Sequence, residues 1–267
     1  MNANESAGNN EALKVYWQPG CSSCLRAKEF LTKHGVPFVS INVLADRAAF
    51  EDLARLGVRR VPIVRRGDDW VDGQILKDLA RIAGIRWDGP ALSRPADLVA
   101  QANTIFACGQ RLLATIPEDK LDTLLPDRPR SYRQLAAHIF QIIEIFLDLV
   151  EHRRRVEFAS YNQGIPAHVR SGEELVRFGV DVQERFNAWW KRGGVGTDMA
   201  AHADVYYGEQ TMHEFLERSV WHSAQHTRQL QLVVEKLGLV PNPPLTAADL
   251  AGLPLPDNVW DDKLEFA

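Results

Sequence analysis

The stretch TMHEFLERSVWHSAQHTRQLQLVVEK, residues 211–236, organises the chain that follows about residue 93. It opens with Thr211 and Glu214, which match a capping box, where each side chain bonds a backbone N–H left unpaired by the first helical turn. Gly238 follows the last periodic position and is a typical helix stop. These signals predict one long helix from about Thr211 to Lys236.

Within this helix, His222 and His226 have the spacing of a metal-ligand pair. Side chains four residues apart leave the same face of a helix one turn apart, so two imidazoles at this spacing can bind one divalent ion. Two histidines do not complete such a site. A third ligand is expected from another helix.

The rest of the chain from residue 93 to 240 predicts three further helices and no strand. Each begins at a capping residue and ends at a proline, glycine or basic stop. Together with the helix already described, this gives four predicted helices. They run from Ser93 to Pro117, from Ser131 to Arg154, from Ser171 to Gly193 and from Thr211 to Lys236. Their lengths and connections predict a four-helix bundle, followed by a proline-rich tail at 241–267.

His138 lies in register with Leu135 and Ile142 on the apolar face of the second bundle helix, so it is expected to face the core. A lone histidine on such a face is usually a satisfied core residue. Together with His222 and His226 it becomes a ligand candidate, and Glu144, Gln225 or Gln229 would orient an imidazole from behind. Cys108, on the first bundle helix, is expected to be a buried structural thiol or to face this site.

The inward His138 and the motif WHSAQHTRQL at 221–230 resemble the DinB/YfiT-like superfamily of irregular four-helix bundles. The resemblance covers about residues 94–237. It implies that His138, His222 and His226 hold a divalent metal, with zinc, nickel or iron all compatible with imidazole ligands. Three imidazoles leave a coordination position open, which is typical of catalytic sites. Bundles of this kind often form homodimers.

The N-terminal part predicts the order βαβαββα, with the motif CSSC at residues 21–24 directly after the first strand. The predicted elements cover residues 13–17, 21–34, 38–44, 47–56, 61–64, 70–71 and 74–82. Residues 1–12 are polar and are predicted to be disordered. The segment 85–92 is rich in glycine and proline and is predicted to be a linker.

This order and the Cys-x-x-Cys over residues 13–84 resemble the glutaredoxin branch of the thioredoxin fold. The resemblance implies that Cys21 is the attacking nucleophile and that Cys24 resolves the mixed disulfide. Val61 and Pro62 match the family's cis-proline position. The alternatives are half of a zinc site for the two cysteines and an ordinary trans edge position for the proline.

Arg59 and Arg60 stand directly before this cis-proline position. A guanidinium there can pair with a carboxylate of glutathione. The alternative is a solvated basic edge that binds nothing. The Ser-Ser pair between the cysteines and Gln18 both depart from the common glutaredoxin pattern.

Composition limits the kinds of partner and the cellular location that are expected for this protein. The net charge of −4 and the pI near 6.1 provide no overall field for nucleic acid or an anionic membrane. No apolar run has the length of a membrane span, and the polar start lacks a signal peptide, so a cytoplasmic location is expected. Three cysteines do not form a disulfide framework, which favours redox or metal chemistry for the Cys-x-x-Cys.

The sequence therefore predicts an α/β glutaredoxin-like domain joined to an all-α DinB-like four-helix bundle. The first hypothesis for function is a glutathione-linked, metal-dependent thiol transferase or isomerase that acts on a small electrophile. The second is a redox-responsive metal-binding or sensing protein without turnover. The third is a glutaredoxin-type disulfide reductase whose bundle is a structural dimerisation module.

Overall fold

The computed structural model describes residues 11–261, which divide into two compact units. Of the described residues, one unit contains 11–90 together with Pro256–Asp261, and the other contains Ala91–Leu255. The division falls inside the segment predicted to be a linker. Residues 1–10 of the start predicted to be disordered, and residues 262–267 of the tail, lie outside the described residues.

The N-terminal unit is a mixed four-stranded sheet with helices on both faces, which is a thioredoxin-like arrangement. Its elements are β1 (Leu13–Trp17), α1 (Ser22–Lys33), β2 (Phe38–Asn42), α2 (Arg47–Arg55), β3 (Ile63–Arg66), β4 (Asp69–Asp72) and α3 (Leu76–Ala83). The strand order is β2-β1-β3-β4. β1 pairs parallel to β2 and antiparallel to β3, and β3 and β4 form an antiparallel pair. The predicted order βαβαββα is confirmed.

Alternating residues of β1 build the two cores of this unit, because successive side chains of a strand point to opposite faces of the sheet. Val15 packs with residues of α1 and α3, including Leu31 and Leu79. Tyr16 packs on the other face with Leu53 of α2. α1, which carries the cysteines, is therefore fixed to one face of the sheet.

The C-terminal unit contains four long helices: α4 (Pro95–Thr115), α5 (Tyr132–His152), α6 (Gly172–Arg192) and α7 (Met212–Lys236). α4 and α5 each pack against both α6 and α7. The capping boxes predicted for the last three helices are present. The backbone N–H groups of Gln134, Glu174 and Glu214 each donate to the hydroxyl of the N-cap residue at 3.2 Å.

Two local predictions in this unit are wrong. α4 begins at Pro95 with Arg94 as its N-cap, so Ser93 lies one residue too early to cap it, and the backbone N–H of Ser93 donates instead to Glu217. The chain after residue 93 also contains a two-stranded sheet of β5 (His202–Ala203) and β6 (Gln210–Thr211). Strands of two residues leave no periodic signal in a sequence.

Every side chain of α7 from Phe215 to Thr227 is buried. A helix that is buried all round usually carries apolar residues, yet this one includes charged, amide and imidazole groups, and buried polar groups require partners. The buried polar groups therefore make α7 a candidate to carry a functional site. Within the described residues, none of the helices combines the length and the apolar composition needed to span a membrane.

Candidate redox and metal sites

The cysteine pair of the N-terminal unit lies at the start of α1. Cys21 and Cys24 form a disulfide with their Cα atoms 5.2 Å apart. Cys21 is the N-cap residue, and its sulfur accepts a hydrogen bond from the backbone N–H of Cys24 at 3.3 Å. The first turn of a helix stabilises negative charge, so a reduced Cys21 at this position is placed to exist as a thiolate.

The two cysteines differ in exposure. Cys21 is partly exposed, whereas Cys24 is fully buried. An attacking thiol must be accessible to its substrate, whereas a resolving thiol can be shielded. The exposures of Cys21 and Cys24 fit these two roles.

Arg59, Arg60, Val61 and Pro62 lie on the segment that leads into β3. The Val61–Pro62 peptide bond is cis, and the carbonyl of Pro62 accepts from the backbone N–H of Gly73. Arg60 donates through Nε to a carboxylate oxygen of buried Asp72 at 2.8 Å. A glutathione carboxylate would thus compete with Asp72 for this edge of Arg60. Arg59 is exposed.

Desolvation raises the pKa of Asp72 above its ordinary value, and the hydrogen bond from Arg60 acts against that rise. The Arg60 guanidinium thus supports a buried carboxylate of the sheet.

The three candidate ligands His138, His222 and His226 come together in the C-terminal unit. All three are buried, and one nitrogen from each lies within 4.8 Å of the others. The Nε2 atoms of His222 and His226 are 3.1 Å apart. The hydroxyl of Ser223 donates to the backbone carbonyl of Ile139 at 2.9 Å, which fixes the register of α7 against α5 next to the histidines.

Gln229 determines which nitrogen of His226 carries the proton. Its side-chain carbonyl lies 2.7 Å from Nδ1 of His226. An amide oxygen only accepts, so the proton is on Nδ1 and the lone pair is on Nε2, which faces the cluster. Gln229, one of the three side chains predicted to orient an imidazole, contacts a histidine in the structure.

Desolvation lowers the pKa of each of the three histidines well below its usual value. The positive charge of nearby Arg130 acts in the same direction on all of them. The imidazoles are therefore neutral near pH 7, which is the state that binds a metal ion. The donor set fits a borderline divalent cation such as zinc, nickel or iron.

The other predicted neighbours have partners of their own. Glu144 pairs with Arg185 of α6 at 3.0 Å, and Gln225 accepts from Arg228 at 2.7 Å. Cys108 is a buried free thiol near Leu245 and Asp249, outside the histidine cluster. Burial raises its pKa above the ordinary value.

A cavity of about 160 Å³ is lined in part by His138 of the cluster. Arg130, Gln134 and Gln141 line one side, and the segment 161–165 lines the other. Sequence reasoning missed Arg130 and Tyr161, because neither lies on a periodic helical face. The hydroxyl of Tyr161 accepts from buried Arg218 of α7 at 2.9 Å, which ties the 161–165 segment to α7.

The comparisons with known proteins bear on the N-terminal unit. Residues 13–71 match the glutaredoxin family. The chain also resembles two bacterial proteins described as global transcriptional regulators: Spx 2 of Lactococcus lactis subsp. lactis and Spx of Lactococcus lactis subsp. cremoris. Each is 24% identical over 121 residues, which cover 43% of this chain and 86% of the relative.

The glutaredoxin match contains β1, the cysteine pair, the cis-proline and β3. The resemblance predicted for the N-terminal domain is therefore confirmed at the level of the family. The glutaredoxin-like domain is followed by a helical region that contains the histidine cluster.

Proposed function

We propose that this protein is a glutathione-linked, metal-dependent thiol transferase or isomerase with a glutaredoxin-like thiol–disulfide oxidoreductase domain. The observation that carries the proposal is the buried cluster of His138, His222 and His226, whose nitrogens converge within 4.8 Å beside a cavity. The resemblance of the helical domain to the DinB/YfiT-like superfamily supports the same assignment. In this proposal the co-substrate is glutathione or a similar small thiol, and the acceptor is a small electrophile.

The residues of the cluster have separate tasks in this proposal. His138, His222 and His226 hold the cation as neutral ligands, and Gln229 keeps the lone pair of His226 directed at it. A divalent cation at this position supplies a charge that stabilises a thiol as its anion at neutral pH. The tie between Tyr161 and Arg218 holds the cavity wall in place.

The glutaredoxin-like domain performs disulfide exchange. The Cys21 thiolate attacks one sulfur of a substrate disulfide, and the other sulfur leaves as a thiol once it is protonated. The Cys24 thiolate then attacks Cys21 in the mixed disulfide, which releases the second substrate thiol and leaves the Cys21–Cys24 disulfide. Two electrons pass from the cysteine pair to the substrate, and two molecules of glutathione restore the pair by becoming glutathione disulfide.

The decisive test is metal content by mass spectrometry on protein prepared without an affinity tag. The wild type is expected to carry about one divalent ion per chain, and a His222→Ala, His226→Ala double variant about none, because the one remaining histidine does not retain zinc. Glutathione consumption is then assayed with a panel of electrophiles in the presence of that metal. A wild type that stays empty after incubation with zinc, nickel or iron contradicts the proposal.

A second candidate is a redox-responsive metal-binding regulator without small-molecule turnover. Two observations favour it: the related proteins from Lactococcus lactis are described as global transcriptional regulators, and the cysteine pair forms a disulfide. In that case the oxidised and reduced forms should bind metal with different affinity, and no electrophile should be consumed.

A third candidate limits the activity to the glutaredoxin-like domain. Its signature is a Cys21→Ser variant that loses every activity, together with histidine variants that lose none.

A further inference from the structure

Arg130 is a partly exposed positive charge that lines the cavity beside His138. Its Nη1 atom is shielded from solvent and has no hydrogen-bond partner within the part of the chain that the structure describes. Burial lowers its pKa to about 10, so the guanidinium is still charged at neutral pH. Shielding Nη1 from water without a hydrogen-bond partner costs free energy, and a ligand of opposite charge would offset that cost.

The backbone holds Arg130 in place. Its N–H donates to the carbonyl of Arg128 and its carbonyl accepts from the N–H of Leu125, both at 2.8 Å. The next residue, Ser131, caps α5. The backbone of Arg130 is thus fixed at the base of the helix that carries His138, and an anion that binds the guanidinium loses little free energy to ordering the loop.

The cavity lining fits an anion and disfavours a second cation. None of the residues that line it is acidic. Gln134 uses its side-chain oxygen to accept from the Ser131 N–H, so its amide NH₂ remains as a donor. Gln141 donates to the carbonyl of Gly164 at 3.0 Å, which closes the far wall.

We propose that this cavity binds the carboxylate of a small thiol through Arg130, with the thiol directed toward His138, His222 and His226. The proposal rests on the thiol chemistry proposed above and adds the group that anchors the co-substrate. A planar carboxylate matches the planar guanidinium and the neighbouring amide donor. The volume of about 160 Å³ is below that of sites for drug-sized ligands, so it admits a short acid or the end of a longer one.

The first experiment measures carboxylate binding without metal. Metal-free protein is titrated with propionate and with propionamide, its neutral counterpart, and followed by ¹H–¹⁵N NMR. Propionate is expected to shift the amides of 130–141 and 161–165, and propionamide is not. Arg130→Met should weaken propionate binding about tenfold or more, as expected for loss of a charge-assisted bond. Arg130→Lys should retain part of it, and Arg170→Met, an exposed arginine outside the cavity, should change nothing.

The second experiment identifies the source of the carboxylate. Protein loaded with cobalt is titrated with 3-mercaptopropionate, 2-mercaptoethanol and propionate, and sulfur-to-cobalt charge transfer is recorded. The acid thiol is expected to bind more tightly than the other two, and Arg130→Met should remove that advantage while 2-mercaptoethanol still gives the band. Equal affinity of the acid and neutral thiols overturns the assignment to the thiol.

The two proposals fail in different ways. A cobalt–sulfur band with no effect of Arg130→Met on any probe overturns the carboxylate anchor and leaves the thiol chemistry. Propionate binding that depends on Arg130, in a protein that takes up no metal, supports the anion site and contradicts the thiol chemistry. Equal responses to propionate and propionamide overturn the anion site.

Discussion

At the scale of single residues, Gln229 is the side chain that keeps the Nε2 lone pair of His226 directed at the histidine cluster. Replacing it with leucine keeps the volume but removes the acceptor for Nδ1 of His226. Metal affinity is expected to fall about 10- to 100-fold, as is usual when the partner of a ligating histidine is lost. Competition with a chromophoric chelator measures the change.

The matched control for this prediction is Gln210→Leu. Gln210 lies on β6 and donates from its side chain to the carbonyl of Glu209, away from the histidines. It should bind metal like the wild type. Equal affinity of Gln229→Leu and the wild type would mean that Gln229 does not orient the ligand.

The three thiols should differ in reactivity after the disulfide is reduced. Cys21 is partly exposed at the start of α1 and should react first with iodoacetamide at pH 7. Cys24 is fully buried, and Cys108 is buried with a raised pKa. Both should be labelled only on unfolding. Peptide mass spectrometry at successive times measures the order in which the three cysteines are labelled. Labelling of Cys108 in the folded protein at the rate of Cys21 would contradict this assignment.

The sequence predicted the candidate site residues that are related by local spacing. It missed the residues that only the tertiary fold brings to the site. His222 and His226 show their relation four residues apart, and His138 shows its inward direction by its register on α5. Arg130 lies between α4 and α5, and Tyr161 lies between α5 and α6, so their approach to the cavity depends on how the chain folds on both sides of α5. No local pattern contains that information.

At the scale of elements, two helical glycines differ in how closely a neighbouring helix packs against them. A Cβ at Gly179 of α6 would lie 2.6 Å from the ring of Phe140, whereas a Cβ at Gly109 of α4 would lie 3.5 Å from Ile139. Gly179→Ala should destabilise the protein by about 1–3 kcal/mol through overpacking. Gly109→Ala should stabilise it by about 0.5–1 kcal/mol, the gain in helix propensity.

Urea unfolding of the two variants and the wild type measures these changes. Phe140→Leu in the Gly179→Ala background should recover part of the loss, because it removes the ring that the new methyl group meets. A Gly179→Ala protein as stable as Gly109→Ala would show that α5 and α6 do not pack closely at this point.

The elements themselves were predictable where local chemistry sets their ends. The capping boxes at Ser131, Ser171 and Thr211 fixed the starts of α5, α6 and α7, because each is a bond between neighbours in sequence. Ser93 misled the prediction for α4. Proline at the first helical position makes the preceding residue the N-cap, whatever the residue before that offers.

At the scale of the whole molecule, the chain after α7 contributes to the glutaredoxin-like domain. Pro256–Asp261 belongs to the N-terminal unit, although it follows the C-terminal unit in sequence. The sequence predicted a proline-rich tail over residues 241–267, without the surface on which it packs. It had no means to assign that surface, since such a segment has no periodicity from which to infer its partner.

The contacts of this segment converge on α1. Asp261 pairs with Lys28, Asp257 pairs with Lys33 at 2.8 Å, and Glu29 accepts the backbone N–H groups of Asp257 and Asn258. Trp260 is only 6% exposed. Cys21 caps α1 and Cys24 lies in its first turn, so the segment supports the helix that carries the cysteine pair.

Trp260→Ala should therefore loosen α1. Losing a buried tryptophan is expected to lower the local unfolding free energy of this unit by about 1–3 kcal/mol, less than the full cost in a closed core because the segment can undock as a whole. Hydrogen exchange read by mass spectrometry should show faster exchange in α1 and unchanged protection in α5 and α7. Val240→Ala, at a 79% exposed position near the start of the tail, is the control and should leave both units unchanged. Equal protection of α1 in Trp260→Ala and the wild type would show that α1 holds its place without the segment, and the redox helix would then depend on the sheet alone.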